Sequence, residues 1–575
     1  MNKRDIARVL EDIAFFLLLK GENPYKAKAY RNAATALLTY PQEVSVLVKT
    51  DTLRHVPGIG PATAAVITEL VMTGTSALHH DVQGAYPSGL TELENVPGLS
   101  IKQIKRLYER AGIKSLPDLQ KACADNRLLT VPGFGPKVQD KLRAALGQYH
   151  RGQGYHLYAN VLEEAHALAT ALERIQGVRA VSLAGAMRRK LEVINELLFV
   201  LMLDRTRSVA QLAAGIQKIP NMTEVSCDRD TVTAHSPLGL PVVVTIAAPQ
   251  HYGFELLHAT GSAEHLDELQ QRFAEQGLPD WDAVRDSFTG ESVGEEEIYR
   301  AAGLPFISPE LREGQGEIQW ALGGALPSPL EATDIRGFFH AHTVYTDGSG
   351  TVEEMVVAAR QRGYRYIGIS DHSQSAFYVN GLKEDRIRAQ WADIDSVQKM
   401  YSDIRVFKGI EADILPDGTM DYPDDLLAQF DFVIASVHSR FNLPEEEQTR
   451  RICRALANPY VTMLGHPTGR LLLSRAGYRL DMTTIVKTAA AHHKIIEING
   501  SRHRLDLDWR WGRFAQSHGV RFCINPDAHA VNELSNVSLG VNVARKAGLG
   551  TNDVINTWPL EDVGAVLRHS RAKAL

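Results

Sequence analysis

From residue 334 onward, short apolar runs alternate with segments of helical pattern at roughly even spacing. This alternation is typical of parallel strands joined by helices, because a parallel strand needs a long crossover connection before its neighbour can form. Seven such units in one region predict a parallel βα barrel. The predicted strands span residues 337–342, 366–370, 405–411, 432–437, 461–464, 494–498 and 521–524.

Histidine and carboxylate residues stand at the ends of these predicted strands or just after them. Active sites of βα barrels lie at the C-terminal ends of the strands, so we expect these side chains to converge on one mouth. Six imidazoles and three carboxylates suit two or three divalent ions such as Mn²⁺ or Zn²⁺. The nine candidate metal ligands are His340, His342, Asp347, His372, Glu411, His438, His466, Asp527 and His529.

A different pattern fills residues 1–150, where short helices are broken by Pro-Gly turns. A Val-Pro-Gly sequence opens three similar segments, at 56–61, 96–100 and 131–136, each followed by a helical stretch. These segments resemble the helix-hairpin-helix motif, in which glycines let backbone N–H groups at a helix N-terminus approach a DNA phosphate. Such contacts grip the backbone without reading base sequence. The predicted DNA-binding residues are Gly58, Gly60, Gly98, Gly133, Gly135 and Lys137.

The middle segment has Ser100 where the second glycine belongs, so we expect it to be structural only. The helix after the first segment, at 61–70, has no lysine, so it offers no Schiff-base nucleophile for a lyase step.

Charge is divided unevenly along the chain. The 575 residues sum to −6, yet residues 1–150 carry 19 Lys/Arg against 14 Asp/Glu, a net charge of +5. The basic front coincides with the predicted phosphate-binding turns, and the acidic remainder contains the predicted metal ligands. Four scattered cysteines without CxxC spacing indicate neither a disulfide framework nor a zinc-thiolate site, which fits a reducing, cytoplasmic location. The early apolar run at 13–19 is too short for a membrane span, so no membrane association is expected.

The phrases around the nine ligands resemble the polymerase-and-histidinol-phosphatase (PHP) domain, among them His340-Ala-His342-Thr-Val-Tyr-Thr-Asp347-Gly and Gly465-His466-Pro-Thr-Gly-Arg470. The resemblance implies a distorted (β/α)7 barrel that hydrolyses phosphoesters with bound metal ions. It further implies that Glu411 bridges two ions. By resemblance, His340, His342, Glu411 and Asp527 hold the first ion, His438 and His466 join Glu411 at the second, and Asp347, His372 and His529 hold the third. The catalytic residues expected from it are Glu411, Asp527 and His438, with Arg470 placed to stabilise phosphoryl charge.

The whole chain is similar to the bacterial family X DNA polymerases, which join a polymerase core to a PHP domain. The similarity rests on the hairpin segments, on the sequence Ala-Gly-Ala-Met-Arg-Arg at 184–189, and on the motifs at 259–265 and 307–317. It implies an all-α helix-hairpin-helix front, an α+β palm and thumb, and the α/β barrel. The predicted domains are an 8-kDa-like domain at 1–80, a fingers-like domain at 81–150, a palm at 151–248, a thumb at 249–316, a linker at 317–333 and the PHP barrel at 334–575.

The polymerase core departs from the family pattern at its catalytic positions. That pattern has Gly-Ser-x-Arg-Arg, then two aspartates one residue apart on a strand, then a third aspartate on a neighbouring strand. Here Ala186 replaces the serine, Glu196 and Leu198 take the paired positions, and Val244 takes the third. Leucine and valine supply no oxygen ligand for Mg²⁺, so we expect metal binding and DNA synthesis there to be weak or absent.

Some nucleotide-binding residues of that pattern are retained, namely Gly185, Arg188, Arg189 and Glu196. The two arginines either bind a nucleotide or DNA phosphate or serve only the scaffold.

The leading hypothesis is a DNA-repair enzyme with a metal-dependent 3′–5′ exonuclease barrel, implied by the family resemblance. Gapped, nicked or 3′-recessed DNA would be its substrate, with 3′-end cleaning or abasic-site incision as related activities. Two alternatives remain: a working gap-filling polymerase that uses Glu192 or Asp228 as substitute carboxylates, and a DNA-binding scaffold whose barrel hydrolyses a small phosphate monoester. A monomer is expected, and loss of synthesis would make a separate polymerase or ligase a plausible partner.

Overall fold

The computed structural model divides the chain into two units, Met1–Gln153 and Gly154–Leu575. The structure describes all residues except 2, 41, 43, 85, 97, 98, 153, 205, 206, 289–292 and 573–575. Among the helices of the described ranges, none combines the length and the apolar character that a membrane span requires.

The described part of the first unit is helical, as its Pro-Gly punctuation predicts. Apolar residues at helical spacing on the first helix, including Ile6, Leu10 and Ile13, are fully buried and form a core with the second helix. The helices are α1 (Lys3–Lys20), α2 (Pro24–Thr39), α3 (Val44–Lys49), α4 (Pro61–Thr73), α5 (Ala77–Gln83), α6 (Ile101–Ala111), α7 (Leu116–Ala124) and α8 (Pro136–Gly152).

The second unit begins with a five-stranded mixed sheet of order β2-β4-β7-β6-β5 and a short β1-β3 ladder. Strands β4 and β7 run parallel, and the other neighbours in the sheet are antiparallel. Its elements are β1 (His156–Leu157), α9 (Tyr158–Glu173), β2 (Val178–Leu183), α10 (Gly185–Arg188), β3 (Val193–Ile194), β4 (Leu197–Leu203), α11 (Val209–Ile216), β5 (Thr223–Asp228), β6 (Thr231–His235) and β7 (Pro241–Ala247). This sheet falls within residues 151–248, for which a palm is predicted, and is called the palm-like sheet below.

Helices α12 (Tyr252–Thr260), α13 (Ala263–Ala274), α14 (Trp281–Ser287), α15 (Glu295–Ala301) and α16 (Glu317–Leu322) follow the sheet. The prediction of a linker at 317–333 is wrong for its first residues, which form α16. Glu317 is fully buried and accepts from both Gly314 N and His265 Nδ1, at 2.8 and 2.7 Å, so this short helix is part of the thumb-like core. The Gly-, Pro- and Ala-rich sequence of 317–333 gives no indication of this helix. Burial of Glu317, Ile318 and Ala321, and not helix propensity, stabilises a helix of six residues.

Seven parallel strands then run in sequential order, as predicted. The barrel is nearly closed, because the parallel bridge between Ala341 and Ala528 joins the segments that follow the first and last strands. Its elements are β8 (Gly337–Phe338), α17 (Val352–Gln361), β9 (Tyr366–Ile369), α18 (Glu384–Met400), β10 (Arg405–Asp413), α19 (Asp424–Leu427), β11 (Phe432–Ser436), α20 (Glu445–Ala457), β12 (Met463–Leu464), α21 (Met482–Ala491), β13 (Ile495–Asn499), α22 (Gly512–Ser517), β14 (Arg521–Asn525), α23 (Val537–Lys546) and α24 (Leu560–Ala572). Each predicted strand overlaps one of these strands.

Candidate functional site

The structure brings all nine predicted ligand residues together at the C-terminal mouth of the barrel. Glu411 lies at the centre, within 3.4 Å of one nitrogen each of His340, His438 and His466. Asp347 and His529 lie on the open side, where about a third of each side chain is exposed, whereas Glu411 and His340 are fully buried.

Neighbouring donor atoms in the cluster are separated by the distance expected for two ligands of the same metal ion. Donors at about 2.1 Å from a tetrahedral ion lie roughly 3.4 Å apart. Asp527 Oδ1 lies 3.4 Å from His340 Nε2 and 3.3 Å from His342 Nε2. The Asp347 oxygens lie 3.5 Å from both His372 Nε2 and His529 Nε2. These separations fit divalent metal binding.

Eight of these residues form three overlapping groups, and within each group the donor atoms all lie within 4.8 Å of one another. They are His342 with Asp347, His372 and His529; His340 with His342 and Asp527; and His372 with Glu411 and His438. His342 and His372 each belong to two groups, so the geometry divides the ligands less sharply than the three-ion scheme implied by resemblance.

Several buried nitrogens here have no hydrogen-bond partner among the described residues. They are His340 Nε2, both ring nitrogens of His342, His372 Nδ1 and His466 Nδ1. A buried polar atom without a partner costs about 1–3 kcal/mol, so such atoms accumulate where a ligand satisfies them. Imidazole nitrogens are also donors that Zn²⁺ and Mn²⁺ accept. The residues therefore fit a metal centre.

The carboxylates and imidazoles of the cluster shift one another's pKa values. Burial would by itself raise the pKa of Glu411, but the neighbouring His438, His340 and His372 lower it well below its usual range. Burial would likewise lower the pKa of His438, yet Glu411 and Asp413 raise it to about 10. The metal-free site therefore holds protons that incoming cations must displace.

Glu497, which the sequence analysis missed, orients the centre from behind. It is fully buried and accepts from His340 Nδ1 at 2.7 Å, which leaves Nε2 facing the ligand cluster. Its other oxygen accepts from His466 N at 2.6 Å. A lone carboxylate in the apolar run Lys-Ile-Ile-Glu-Ile-Asn at 494–499 is the signal that could have found it.

Two further carboxylates support the site, one beside a predicted ligand and one at the loop that carries another. Asp413 Oδ1 lies 3.1 Å from His438 Nδ1. Asp371 is buried and accepts from Thr343 N at 2.9 Å and from Gln390 Nε2 at 2.6 Å, so it braces the loop that carries Asp347.

The prediction that Arg470 stabilises phosphoryl charge is not supported by its surroundings. Its guanidinium donates to Asp508 Oδ2 at 2.6 Å and Glu192 Oε1 at 3.3 Å, and within the described residues it contacts none of the nine ligands. Arg504, on the loop after β13, lies where Arg470 was expected, with Nε 3.2 Å from Asp527 Oδ2. Adjacency to His466 in sequence does not determine where a loop side chain points.

In the first unit, the outer two hairpin segments share one geometry. Gly58 and Gly133 have φ near +93° and +91°, a conformation that side chains disfavour. Gly60 and Gly135 directly precede α4 and α8, and a Cβ at either would meet no atom within 4 Å. Open space beside a helix N-terminus is what a phosphate needs. Lys137 is exposed in the first turn of α8.

The middle segment differs at its second position. Ser100 N donates to Gln103 Oε1 at 2.9 Å in a capping box at the start of α6, so this N–H is occupied. This agrees with the expectation that the middle segment is structural. Gly98, predicted to bind DNA, lies outside the described residues.

The two retained arginines, Arg188 at the end of α10 and Arg189 just after it, are held by carboxylates of the thumb-like region. Arg188 donates to both oxygens of Glu295, at 2.9 and 2.6 Å. Arg189 Nε donates to Glu313 Oε1 at 2.9 Å. These contacts favour the scaffold interpretation over nucleotide binding.

The predicted third catalytic position, Val244, lies on the wrong face of the sheet. It pairs with Phe199, and both are buried in the core on the opposite face from Leu198. Leu198 instead neighbours Val243, and Thr245 shares that face. The register is therefore off by one residue, and neither β4 nor β7 carries an aspartate on this face.

Leu198 covers the retained Gly185, where an added Cβ would lie 2.8 Å from the leucine Cδ1. Neither proposed substitute carboxylate reaches this place. Glu192 is paired with Arg470. Asp228 ends β5, three strands from β4, or about 14 Å at the usual strand spacing.

Four family models match the chain. They are the helix-hairpin-helix domain at residues 1–76, the SAM-like helix-hairpin-helix tandem at 90–148, the DNA polymerase beta thumb at 255–313 and the PHP domain at 339–501. These matches support DNA binding by the helical and thumb regions and divalent metal use by the barrel.

One similar protein matches almost the whole chain, and others match part of it. A Bacillus subtilis protein named DNA polymerase/3′-5′ exonuclease PolX is 34% identical over 99% of this chain and 100% of its own length. A Caldicellulosiruptor saccharolyticus protein named probable phosphatase is 31% identical over 34% of this chain and 81% of its own. A protein of the same name from Thermoanaerobacter sp. is 26% identical over 41% of this chain and 94% of its own. The full-length match shows that the chain belongs to the bacterial family X DNA polymerases that carry a PHP domain.

Proposed function

We propose that the barrel is a metal-dependent 3′–5′ exonuclease that acts on DNA ends, with two or three Mn²⁺ or Zn²⁺ ions as cofactors. The observation that carries this proposal is the cluster of nine ligands with buried, unpartnered imidazole nitrogens at the barrel mouth. Bound divalent ions would lower the pKa of a coordinated water and neutralise the phosphodiester. The relative of full length is named DNA polymerase/3′-5′ exonuclease, and the second part of that name agrees with this assignment.

The protein's own residues divide the work around these ions. Glu411, Asp527 and His438 would hold them, while Glu497 keeps His340 in the tautomer that presents Nε2. Arg504 lies beside Asp527 with its guanidinium at the mouth, where it can bind a phosphate oxygen.

DNA binding would come from the outer hairpin segments, through backbone phosphate and without sequence preference. A methyl group at Gly60 and Gly135 fills the space beside both helix N-termini. We expect the G60A/G135A variant to lose at least tenfold in affinity for gapped DNA, whereas Ser100→Ala keeps wild-type binding. Equal binding by all three proteins would contradict this assignment.

The nuclease is tested by nucleotide release from a 3′-labelled, 3′-recessed duplex with Mn²⁺. The wild type should release mononucleotides and H340A/H342A should fall to background. Glu196→Ala, in the palm-like sheet, is the matched control and should keep full activity. Undiminished release by H340A/H342A would overturn the site assignment.

We infer that template-directed synthesis is weak or lost, because Leu198, Val243 and Thr245 offer no carboxylate on the face that Glu196 begins. Primer extension on gapped DNA with Mg²⁺ or Mn²⁺ should yield no product that depends on Glu196. Extension abolished by Glu196→Ala would show that this inference is wrong.

Hydrolysis of a small phosphate monoester is a second candidate, since two relatives that match about a third or more of this chain are named probable phosphatases. The same enzyme preparations should be assayed with glycerol phosphate beside the recessed duplex. A kcat/KM that is higher for the monoester, and lost in Glu411→Gln, would favour this candidate.

A further inference from the structure

Two aromatic side chains stand in solvent at the barrel mouth. Phe377 is 85% exposed and Tyr378 is 61% exposed, in the loop that follows the ligand His372. In the neighbouring loop, which carries Asp347, Val344 is 50% exposed. These are three of the five large apolar side chains that are exposed among the described residues of 334–575. Exposed apolar surface concentrated around a site marks an interaction surface.

The backbone of the loop that carries these rings is anchored to the barrel. Ser373 and Leu382 form a parallel bridge across its base, and Gly381 N donates to Ala376 O at 3.1 Å. Ala376 and Leu382 are fully buried, so the loop has its own anchor in the barrel. At Gly381 a Cβ would lie 2.0 Å from a backbone oxygen of Ser373, so the fold tolerates little change here. The rings are therefore exposed on a rigid support, which lowers the entropic cost of binding.

Tyr378 lies beside the ligand cluster. Loss of solvent around its hydroxyl, together with the charges of Asp413, Glu411 and Asp347, raises its pKa to about 12. The carboxylates of the ligand cluster therefore act on this hydroxyl, while Tyr378 remains 61% exposed to solvent. The Phe377 ring meets it edge to face, with centroids 5.9 Å apart.

Arginines surround the same mouth. Arg440, Arg475 and Arg504 lie on the loops after β11, β12 and β13 respectively. Arg475 and Arg504 lie close enough to Tyr378 for their charges to act on one another. Aromatic faces for bases beside cations for phosphates are the combination that single-stranded nucleic acid requires.

We propose that Phe377 and Tyr378 form a stacking platform for the unpaired base at the 3′ end of a DNA strand, and that they select nucleotides over small phosphate esters. This inference rests on the proposed nuclease. Stacking on aromatic rings accepts any base, which matches the absence of sequence reading by the hairpin segments.

The kinetic test compares two single-stranded oligonucleotides that differ only at the 3′ end, one with a normal terminal base and one with an abasic terminal residue. For the wild type we expect a KM about tenfold lower with the base present. F377A/Y378A should raise KM about tenfold on the normal end and remove the preference. Tyr378→Phe keeps the ring and should therefore keep the preference for the terminal base. The control is Met400→Ala, at a 57% exposed residue at the end of α18, which should behave as wild type.

A binding measurement separates failure of this inference from failure of the nuclease assignment. An oligonucleotide with 3′-terminal 2-aminopurine, added with Ca²⁺, should lose fluorescence on the wild type and keep it on F377A/Y378A. If the wild type quenches the probe but releases no nucleotide, the platform stands and the nuclease assignment fails. If the wild type releases nucleotides with the same KM from both ends, and the variant quenches the probe equally, the platform is refuted.

Discussion

Replacing Glu497 by glutamine should weaken metal binding without touching a metal ligand. The two carboxylate oxygens accept four hydrogen bonds: Oε1 from His340 Nδ1 at 2.7 Å and Asn525 Nδ2 at 3.0 Å, and Oε2 from His466 N at 2.6 Å and Asn499 Nδ2 at 3.1 Å. A glutamine presents one oxygen and one NH₂, so two of the four donors must face another donor.

Each buried donor without a partner costs about 1–3 kcal/mol. Loss of a carboxylate behind a ligating histidine lowers metal affinity about 10–100-fold, or roughly 1.4–2.8 kcal/mol. The expected result for Glu497→Gln is therefore a Mn²⁺ dissociation constant raised by that factor, with the remaining cost appearing as a lower free energy of unfolding.

Free Mn²⁺ in a titration can be measured by its electron paramagnetic resonance signal, with circular dichroism as the check on folding. Glu446→Gln removes the same charge from the surface of α20, where the side chain is 90% exposed, and should bind Mn²⁺ as the wild type does. A folded Glu497→Gln protein with wild-type affinity would refute the role assigned to this carboxylate.

Three other outcomes are expected. First, the pKa values of His529 and His438 are raised to about 8 and 10, so their protons stabilise the metal-free protein fully below pH 6.5 and cease to do so as pH rises through those values. The rise in Tm that Mn²⁺ adds should therefore grow from pH 6 to 9. Differential scanning fluorimetry with and without chelator would measure it. Second, Lys546→Met should cost about 1–3 kcal/mol in urea unfolding, because a buried ammonium is lost while its carboxylate partner keeps an arginine; an unchanged midpoint would count against this pairing. Third, Arg504→Gln should lower kcat for nucleotide release about 100-fold, whereas Arg470→Gln should lower Tm and leave kcat within about twofold; the reverse pattern would restore the original assignment of Arg470.

The barrel could be predicted because its signals are local. A strand buried on both faces is an apolar run, and the rule that active residues follow such strands places His340 or Asp527 without any knowledge of contacts. The sequence could not show where loop side chains point. Arg470 and Arg504 both follow strands of the barrel, and only the folded loops decide which guanidinium reaches Asp527. Glu497 was missed for a related reason, since an apolar run indicates burial but not what the buried carboxylate faces.

The palm-like sheet keeps its polymerase motifs for a physical reason that does not require nucleotide chemistry. Arg189 pairs with Glu313, and the same carboxylate accepts from Lys546 on a barrel helix. Glu192 accepts from Arg470, on the loop after a barrel strand. Removing one partner of a buried ion pair costs about 3–5 kcal/mol, because the other charge is left without compensation. Losing a catalytic carboxylate from the sheet surface carries no such penalty, since leucine packs over Gly185 instead. The buried ion pairs that join sheet, thumb-like region and barrel thus give these arginines a role in stability, whereas a substitution of Leu198 on the sheet face would break no ion pair.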